Sequence, residues 1–404
     1  MSKKIPLAVT IALIFVFSAL TVLVTVSVYM RIYTKSLLSI EEQKERYSLL
    51  AEVESIVRSN YNGKIASDDA GVFTAKGYIE GLGDKNSVYL KKEEYDAYTA
   101  SYAGFAEGIG VNAQYSSAEN ALVVTAVAAG SSAAEKQIAA GDRILAVNNK
   151  DVTVANYASL MQTLQTNSGK EIRVKVLKAD AVDPISAITL SLSGSYQKAS
   201  VSYSANGTVG FVRISAFYDS TPKAFQNALA WLGAQGVGKL IIDVRNNSST
   251  NYDAEAQVID ALVPMATEGT RAIATAKDVE DKTVKAYSSD TNSIGIPVAV
   301  LVNDRTQGAS ELLSADLRDF LKATVVGERT AGNAGYQQVF MLEDGSALIL
   351  TVAKIYPYIT DCYDGTGITP DIELLLPDFQ KDALENLSLQ EDAQYNAAVA
   401  ALSD

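Results

Sequence analysis

Two stretches carry the residues best placed for chemistry: DRTQGASELL, from Asp304 to Leu313, and GERTAGNAGYQ, from Gly327 to Gln337. The first reads as a loop feeding a helix and the second as a strand feeding a Gly-rich turn, the pieces from which an active-site frame is made. The chain has no histidine among its 404 residues and a single cysteine, Cys362. That removes the commonest general base and metal ligand, and with it Ser-His-Asp triads, Cys-His pairs and zinc sites built on His. A lone cysteine excludes a disulfide within one chain and a Cys-rich metal centre. Hydrolysis is then left to Ser or Thr paired with Lys, or to carboxylates. No metal and no cofactor is expected.

Ser310 and, one helical turn later, Ser314 are the hydroxyls of the first stretch. A serine at a helix start ordinarily bonds backbone, and Glu311 beside it suits the positive end of the helix dipole. Lys322 and Lys354 are candidate bases, but surface lysines are ordinary and a working base needs burial. Asp243, inside the apolar run IIDV, reads as a hydrogen-bonded strand-end carboxylate rather than a catalyst. The run YPYITDCY, from Tyr356 to Tyr363, either lines a peptide groove or packs a domain edge.

These residues need a scaffold, and composition bounds it. With 47 acidic against 34 basic residues, a net charge of −13, the chain is a poor partner for nucleic acid. Ile5 to Met30 contains no charge, follows Lys3 and Lys4, and lacks a clear cleavage site. It reads as an uncleaved signal anchor, a transmembrane helix within residues 1–36. A single-pass cell-membrane protein with the chain beyond about residue 40 outside the cytoplasm is the expectation, although Arg31 and Lys35 weaken the charge asymmetry that sets orientation.

Residues 37–100 read as helical, with an amphipathic stretch from Leu37 to Val57 and a second helix from Ala70 to Leu82, closed by Gly83. Residues 101–180 change to short β runs: GIGV (Gly108, Ile109, Gly110, Val111), ALVVTAV, GDRILAVNNKDV with a turn at Asn148-Asn149, the helix NYASLMQTLQ, and KEIRVKVLK. This order resembles a PDZ domain. The resemblance implies that backbone N–H groups of the GIGV loop hold a peptide's terminal carboxylate while the peptide adds as a strand to the sheet edge. A PDZ-like regulatory fold that binds no peptide is the alternative.

Residues 181–380 follow an α/β pattern: VGFVRIS, a helix from about Pro222, KLIIDVRNN, a helix from about Asp253, PVAVLVN, the helix Ala309–Leu321, TVVGERT, SALILTVAKIY and GITPDIEL. Runs such as IIDV and VAVLV suit strands buried on both faces. Residues 381–404 are a C-terminal tail.

These anchors, with GDKNSVYL from Gly83 to Leu90, resemble the C-terminal-processing (tail-specific) serine peptidases, which carry a PDZ domain ahead of a crotonase-like α/β core. The family's chemistry comes from a Ser-Lys dyad in which a desolvated lysine takes the serine proton. The resemblance places the nucleophile at Gly308 and the base at Asn333, both lost, and retains at Gln337 the glutamine that orients the base. Where the family reads D-x-R-N-N-P-G-G, this chain reads DVRNNSST, so Ser249 and Thr250, with Ala309 after the nucleophile position, form the altered oxyanion region. The expected protein is an impaired peptidase homologue that binds C-terminal tails of exported or membrane proteins as scaffold or regulator, as a homodimer or beside a partner peptidase. An active endopeptidase with a displaced nucleophile such as Ser310 is the alternative. A lipid- or wall-associated structural protein has little motif support.

Overall fold

The computed structural model describes residues 21, 25, 47–64, 67–166, 169–263, 271–290, 295–384 and 387–403. The chain divides into two compact units, residues 1–74 and 75–404. In the first, a helix over residues 47–60 carries Leu49, Leu50, Val53, Ile56 and Val57 at helical spacing, all exposed. Among the described residues no helix is long and apolar enough to cross a membrane. The expected transmembrane helix at Ile5–Met30, and the single-pass membrane location drawn from it, are corrected accordingly. Apart from residues 21 and 25, that run lies outside the described residues.

Helix α1 (Ser67–Glu80) is followed by Gly83 at φ 71°, the left-handed stop the sequence implies. Strand β1 (Val88–Leu90), helix α2 (Lys92–Tyr102) and strand β2 (Phe105–Glu107) lead into the small β-rich domain. There β3 (Val111–Ser116), β4 (Ala121–Val127), β5 (Arg143–Val147), β6 (Lys150–Asp151), β7 (Glu171–Leu177) and β8 (Ile188–Ser193) form a sheet in the order β3-β4-β5-β7-β8, with β6 on β5. Its strands alternate: β7 buries Ile172, Val174 and Val176 and exposes the residues between them. Asn148 and Asn149 lie at φ 48° and 63°, the two left-handed positions a tight hairpin needs. The short helix α3 (Ser132–Glu135) and α4 (Tyr157–Thr166) cover one face, and α4 buries Leu160 and Leu164.

After β9 (Ser195–Gln197), which pairs with β2, the core sheet runs β10-β11-β12-β15-β16-β19: Val201–Asn206, Val209–Ile214, Lys239–Asp243, Val298–Val302, Thr324–Gly327 and Ile372–Glu373. All pairs after the first are parallel. Parallel strands are buried on both faces, and β15 is buried at every position, which explains its continuous apolar run. Helices α5 (Thr221–Ala234), α6 (Tyr252–Asp260) and α7 (Ala309–Leu321) connect these strands. A second sheet joins β1, β13 (Arg271–Lys277), β14 (Thr283–Ser289), β17 (Gly335–Met341) and β18 (Ala347–Pro357). The chain closes with α8 (Asp378–Asp382) and α9 (Ala393–Ala401); α9 packs Tyr395 and Ala398 against Phe211, Ile241 and Leu301.

Asp243 ends β12 fully buried, and its carboxylate accepts from Arg213 at 2.9 Å and from both Nε and Nη2 of Arg245 at 2.9 and 2.8 Å. Arg245 also donates to Asp392 at 2.6 Å and Gln394 at 2.8 Å, so the start of α9 is bound into the sheet. Burial would raise the Asp243 pKa, but the Arg245 charge and hydrogen bonds outweigh it and hold the carboxyl at about 2.

Glu255 on α6 and Asp316 on α7 are the opposite case. Both are fully buried, and none of their four carboxylate oxygens has a hydrogen-bond partner. Burial pushes both carboxyls well above their ordinary range, and for Asp316 the nearby Glu255 and Asp319 add to it. A carboxyl raised in the folded state stabilises fully below its unfolded pKa, and that contribution drains away as pH rises toward the folded value. Glu255→Gln and Asp316→Asn should therefore raise the Tm at pH 8, by roughly 2–4 °C per kcal/mol recovered, and leave it little changed at pH 4. Thermal melts across pH check this; equal shifts at both pH values would contradict it.

Candidate active site

Three neighbouring parallel strands, β12, β15 and β16, end at one place, where ligands characteristically bind in open α/β sheets. The turns that leave them are residues 244–250, 303–308 and 328–334, and side chains lock them together. The Asn303 side-chain amide exchanges two bonds with Asn246: its Oδ1 accepts from Asn246 N–H at 3.0 Å and its Nδ2 donates to Asn246 Oδ1 at 2.7 Å. Gln307 N–H donates to Asn247 O at 2.9 Å, and Ala331 N–H to Thr306 O at 3.0 Å.

Gly308 caps α7 at φ 68°, ψ −120°, a conformation that strains any residue with a side chain. It is buried, and a Cβ built there would lie 2.5 Å from the Ser249 carbonyl oxygen. The same oxygen accepts from Ala309 N–H at 2.8 Å. Ser249 is fixed from its other groups too: its Oγ accepts from Phe217 N–H at 2.9 Å, and its N–H donates to Asn247 Oδ1 at 3.1 Å. Thr250 follows, its Cγ2 3.4 Å from the same built Cβ.

Glu311 joins the helix start to the third turn. Its carboxylate accepts from Gly308 N–H at 3.0 Å, Gly332 N–H at 2.7 Å, Asn333 N–H at 2.8 Å and the Thr330 hydroxyl. Burial raises its pKa, and these four donors oppose the rise. Gly308 and Asn333, paired on sequence, are thus brought to one carboxylate. The Asn333 side chain presents an amide whose Oδ1 accepts from Asn86 Nδ2 at 3.2 Å and Gly335 N–H at 3.0 Å. Gln337 donates from Nε2 to Asn86 O.

Ser310 is fully buried and its Oγ has no hydrogen-bond partner, so no base touches it. Ser314 bonds back to Ser310 O at 2.7 Å. Lys354 lies in solvent, 2.7 Å from Asp364, and Lys322 caps the end of α7 over Asp319 O at 3.4 Å. Both residues are exposed, so neither is a buried base. Two residues that sequence reasoning did not assign to the site belong to it. Asn86 contacts both Asn333 and Gln337, and Tyr363 donates its buried hydroxyl to Gly308 O at 3.1 Å. Asn86 lay in the GDKNSVYL stretch, whose nearness to Asn333 is a tertiary matter.

Beside the turn lies a cleft of about 510 Å³, lined by Val88, Leu90, Tyr98, Tyr102, Phe217 and Ile349, with Asn86, Ser249, Thr250 and Gln337 as polar groups. In the small domain, Gly108 N–H and Ile109 N–H already donate to Gly194 O at 2.7 Å and Leu164 O at 2.9 Å. Ala128 N–H donates to Gly110 O at 2.8 Å, which makes Val111 and Val127 a non-hydrogen-bonded pair and turns Val111 N–H toward the open side of β3. Strand β3 is the sheet's edge and α4 packs beside it. Tyr115 and Tyr157 stack at 4.6 Å between them.

Residues 208–374 match Peptidase family S41 and residues 103–177 match the PDZ domain. The chain is 30% identical over 313 residues to the chloroplastic C-terminal processing peptidase of Tetradesmus obliquus, covering 72% of this chain and 65% of that protein, just under two thirds of its length. It is 25% identical over 338 residues to the carboxy-terminal processing protease CtpA of Bacillus subtilis, covering 83% of this chain and 70% of the other. Among solved structures, the photosystem II D1 C-terminal processing protease aligns with 74% of this chain and 80% of its own, at 28% identity and TM-score 0.46. The chain thus carries a PDZ domain ahead of a peptidase family S41 domain, and in that arrangement it is similar to the C-terminal processing peptidases.

Proposed function

We propose that this member of the family has lost peptide hydrolysis and retains recognition of protein C-terminal tails, acting as a scaffold or regulator. One observation carries the reading: Gly308 heads α7 without a side chain, and the Ser249 carbonyl occupies the space a nucleophile would need. Asn333, an amide that does not titrate, stands where the family resemblance puts the base. Ser310 as a displaced nucleophile finds no support, because its buried hydroxyl has no partner to take its proton.

The edge strand β3 and the outward Val111 N–H support tail binding by strand addition. Exported clients were inferred from a membrane location that has been corrected, so the clients are defined here by their free C-terminus alone. Peptides with a free, apolar C-terminus should bind the full chain at micromolar Kd, about −7 to −8 kcal/mol. Gly108 and Ile109 N–H are engaged within the domain, so the carboxylate would meet the open Val111 N–H, and amidating the terminus should weaken binding by about tenfold or more because it removes that charge. Isothermal titration with acid and amide forms tests this; equal affinities would sink carboxylate capture. Incubation of the full chain with the same peptides should leave them uncut, and cleavage would overturn the loss of hydrolysis.

A further inference from the structure

The turn that fills the Gly308 space is held by its own side chain. We propose that the Ser249 hydroxyl is a latch that holds the turn closed over the head of α7, with the Ser249 carbonyl occupying the Ala309 N–H. This rests on the reading above that Ser249, Thr250 and Ala309 form an altered oxyanion region. Both anchors of the latch are rigid. Phe217, whose N–H reaches the Ser249 Oγ at 2.9 Å, is 1% exposed. Asn247, whose Oδ1 holds Ser249 N–H at 3.1 Å, is fully buried and donates from Nδ2 to Ile214 O at 3.0 Å.

With the N–H and Oγ of Ser249 bound on one side, its carbonyl is aimed into the head of α7. A glycine at this position has no hydroxyl to offer Phe217, so its peptide plane is free to turn. The turn is also the outer layer of the site: Ser248 is exposed, Ser249 and Thr250 are half-buried, and all three border the 510 Å³ cleft. Release of the Phe217 bond lets the turn swing toward that cleft. The swing frees Ala309 N–H at the start of a 13-residue helix and opens room at Gly308. The Ser249 hydroxyl is therefore a positioning group that keeps the frame shut.

Amide hydrogen exchange on the full chain reads the contact without requiring catalysis. In wild type Ala309 N–H should be protected. Ser249→Ala should speed its exchange by about tenfold, the loss expected for one hydrogen bond, while amides of β15 stay unchanged. Ser249→Thr keeps the hydroxyl and should keep the protection. The latch is refuted if Ser249→Ala exposes Phe217 N–H to exchange but leaves Ala309 protected, or if Ala and Thr variants lose protection equally. Hydrolysis of tails by wild type would overturn the inactive reading and leave this result standing, so the two failures are distinguishable.

Discussion

Arg245→Ala lowers the free energy of unfolding by about 3–5 kcal/mol, because it leaves the buried Asp392 without this cation and Asp243 with Arg213 alone. The guanidinium spans Asp243 on one side and Asp392 on the other, with side-chain exposure of 0%, 0% and 1% respectively for Arg245, Asp243 and Asp392. Urea unfolding of wild type and variant at pH 7 measures the loss; a change within about 0.5 kcal/mol, the range of an ordinary surface substitution, would show that the network is not structural. Arg245→Lys should recover little, since an ammonium cannot fork between two carboxylates. The acid limb carries an independent signature. Asp243 is depressed to about 2, so its contribution is present above the ordinary carboxylate range and is lost as pH falls through about 2. Wild type should lose stability steeply from pH 4 to pH 2, and Arg245→Ala should show a shallower fall.

The second large effect is a gain. Wild type should take no fluorophosphonate label. Gly308→Ser with Asn333→Lys should also stay essentially unlabelled although it supplies both serine and lysine, and the structure gives the reason. A serine Cβ at 308 meets the Ser249 carbonyl at 2.5 Å, and Ala309 N–H is already engaged by the same oxygen. Adding Ser249→Gly and Thr250→Gly should release both and raise labelling by roughly 10²–10³, the rate effect of restoring an oxyanion donor. Mass spectrometry of the labelled peptide checks that the adduct is at position 308. Equal labelling of the double and quadruple variants would show that the turn does not control the site.

The core was legible where burial is two-sided. LIID and VAVLV read as parallel strands because nothing polar interrupts them before Asp243, and Asn148-Asn149 announced its hairpin through left-handed preference. Helix α2 was harder to read: it has no buried residue, so it shows no apolar stripe. The β13–β14 hairpin hides in ATAKDVEDKTVKAY, where charges and alanines blur the alternation. Helix α9 is alanine-rich, and its place on the sheet depends on Arg245 meeting Asp392, 147 residues away. At the site, the pairing of Gly308 with Asn333, which converge on one carboxylate, was legible from spacing. The engagement of Ala309 N–H by Ser249 was not, because that carbonyl belongs to a residue whose hydroxyl is bonded to Phe217, 32 residues distant in the chain.

Glu311 gives that convergence a wider meaning. Its carboxylate receives three backbone N–H groups and the Thr330 hydroxyl, and none of the four donors is a side chain at position 308 or 333. The joint is wired through the main chain, so Glu311 ties α7 to the turn before β17 without using a side chain at either position. The side chain at 333 can therefore change with the joint intact, whereas at 308 the φ of 68° and the Ser249 carbonyl 2.5 Å from a built Cβ still favour glycine. Replacing Glu311 would undo the joint itself, so the chain has a physical reason to keep this acid whatever stands at positions 308 and 333.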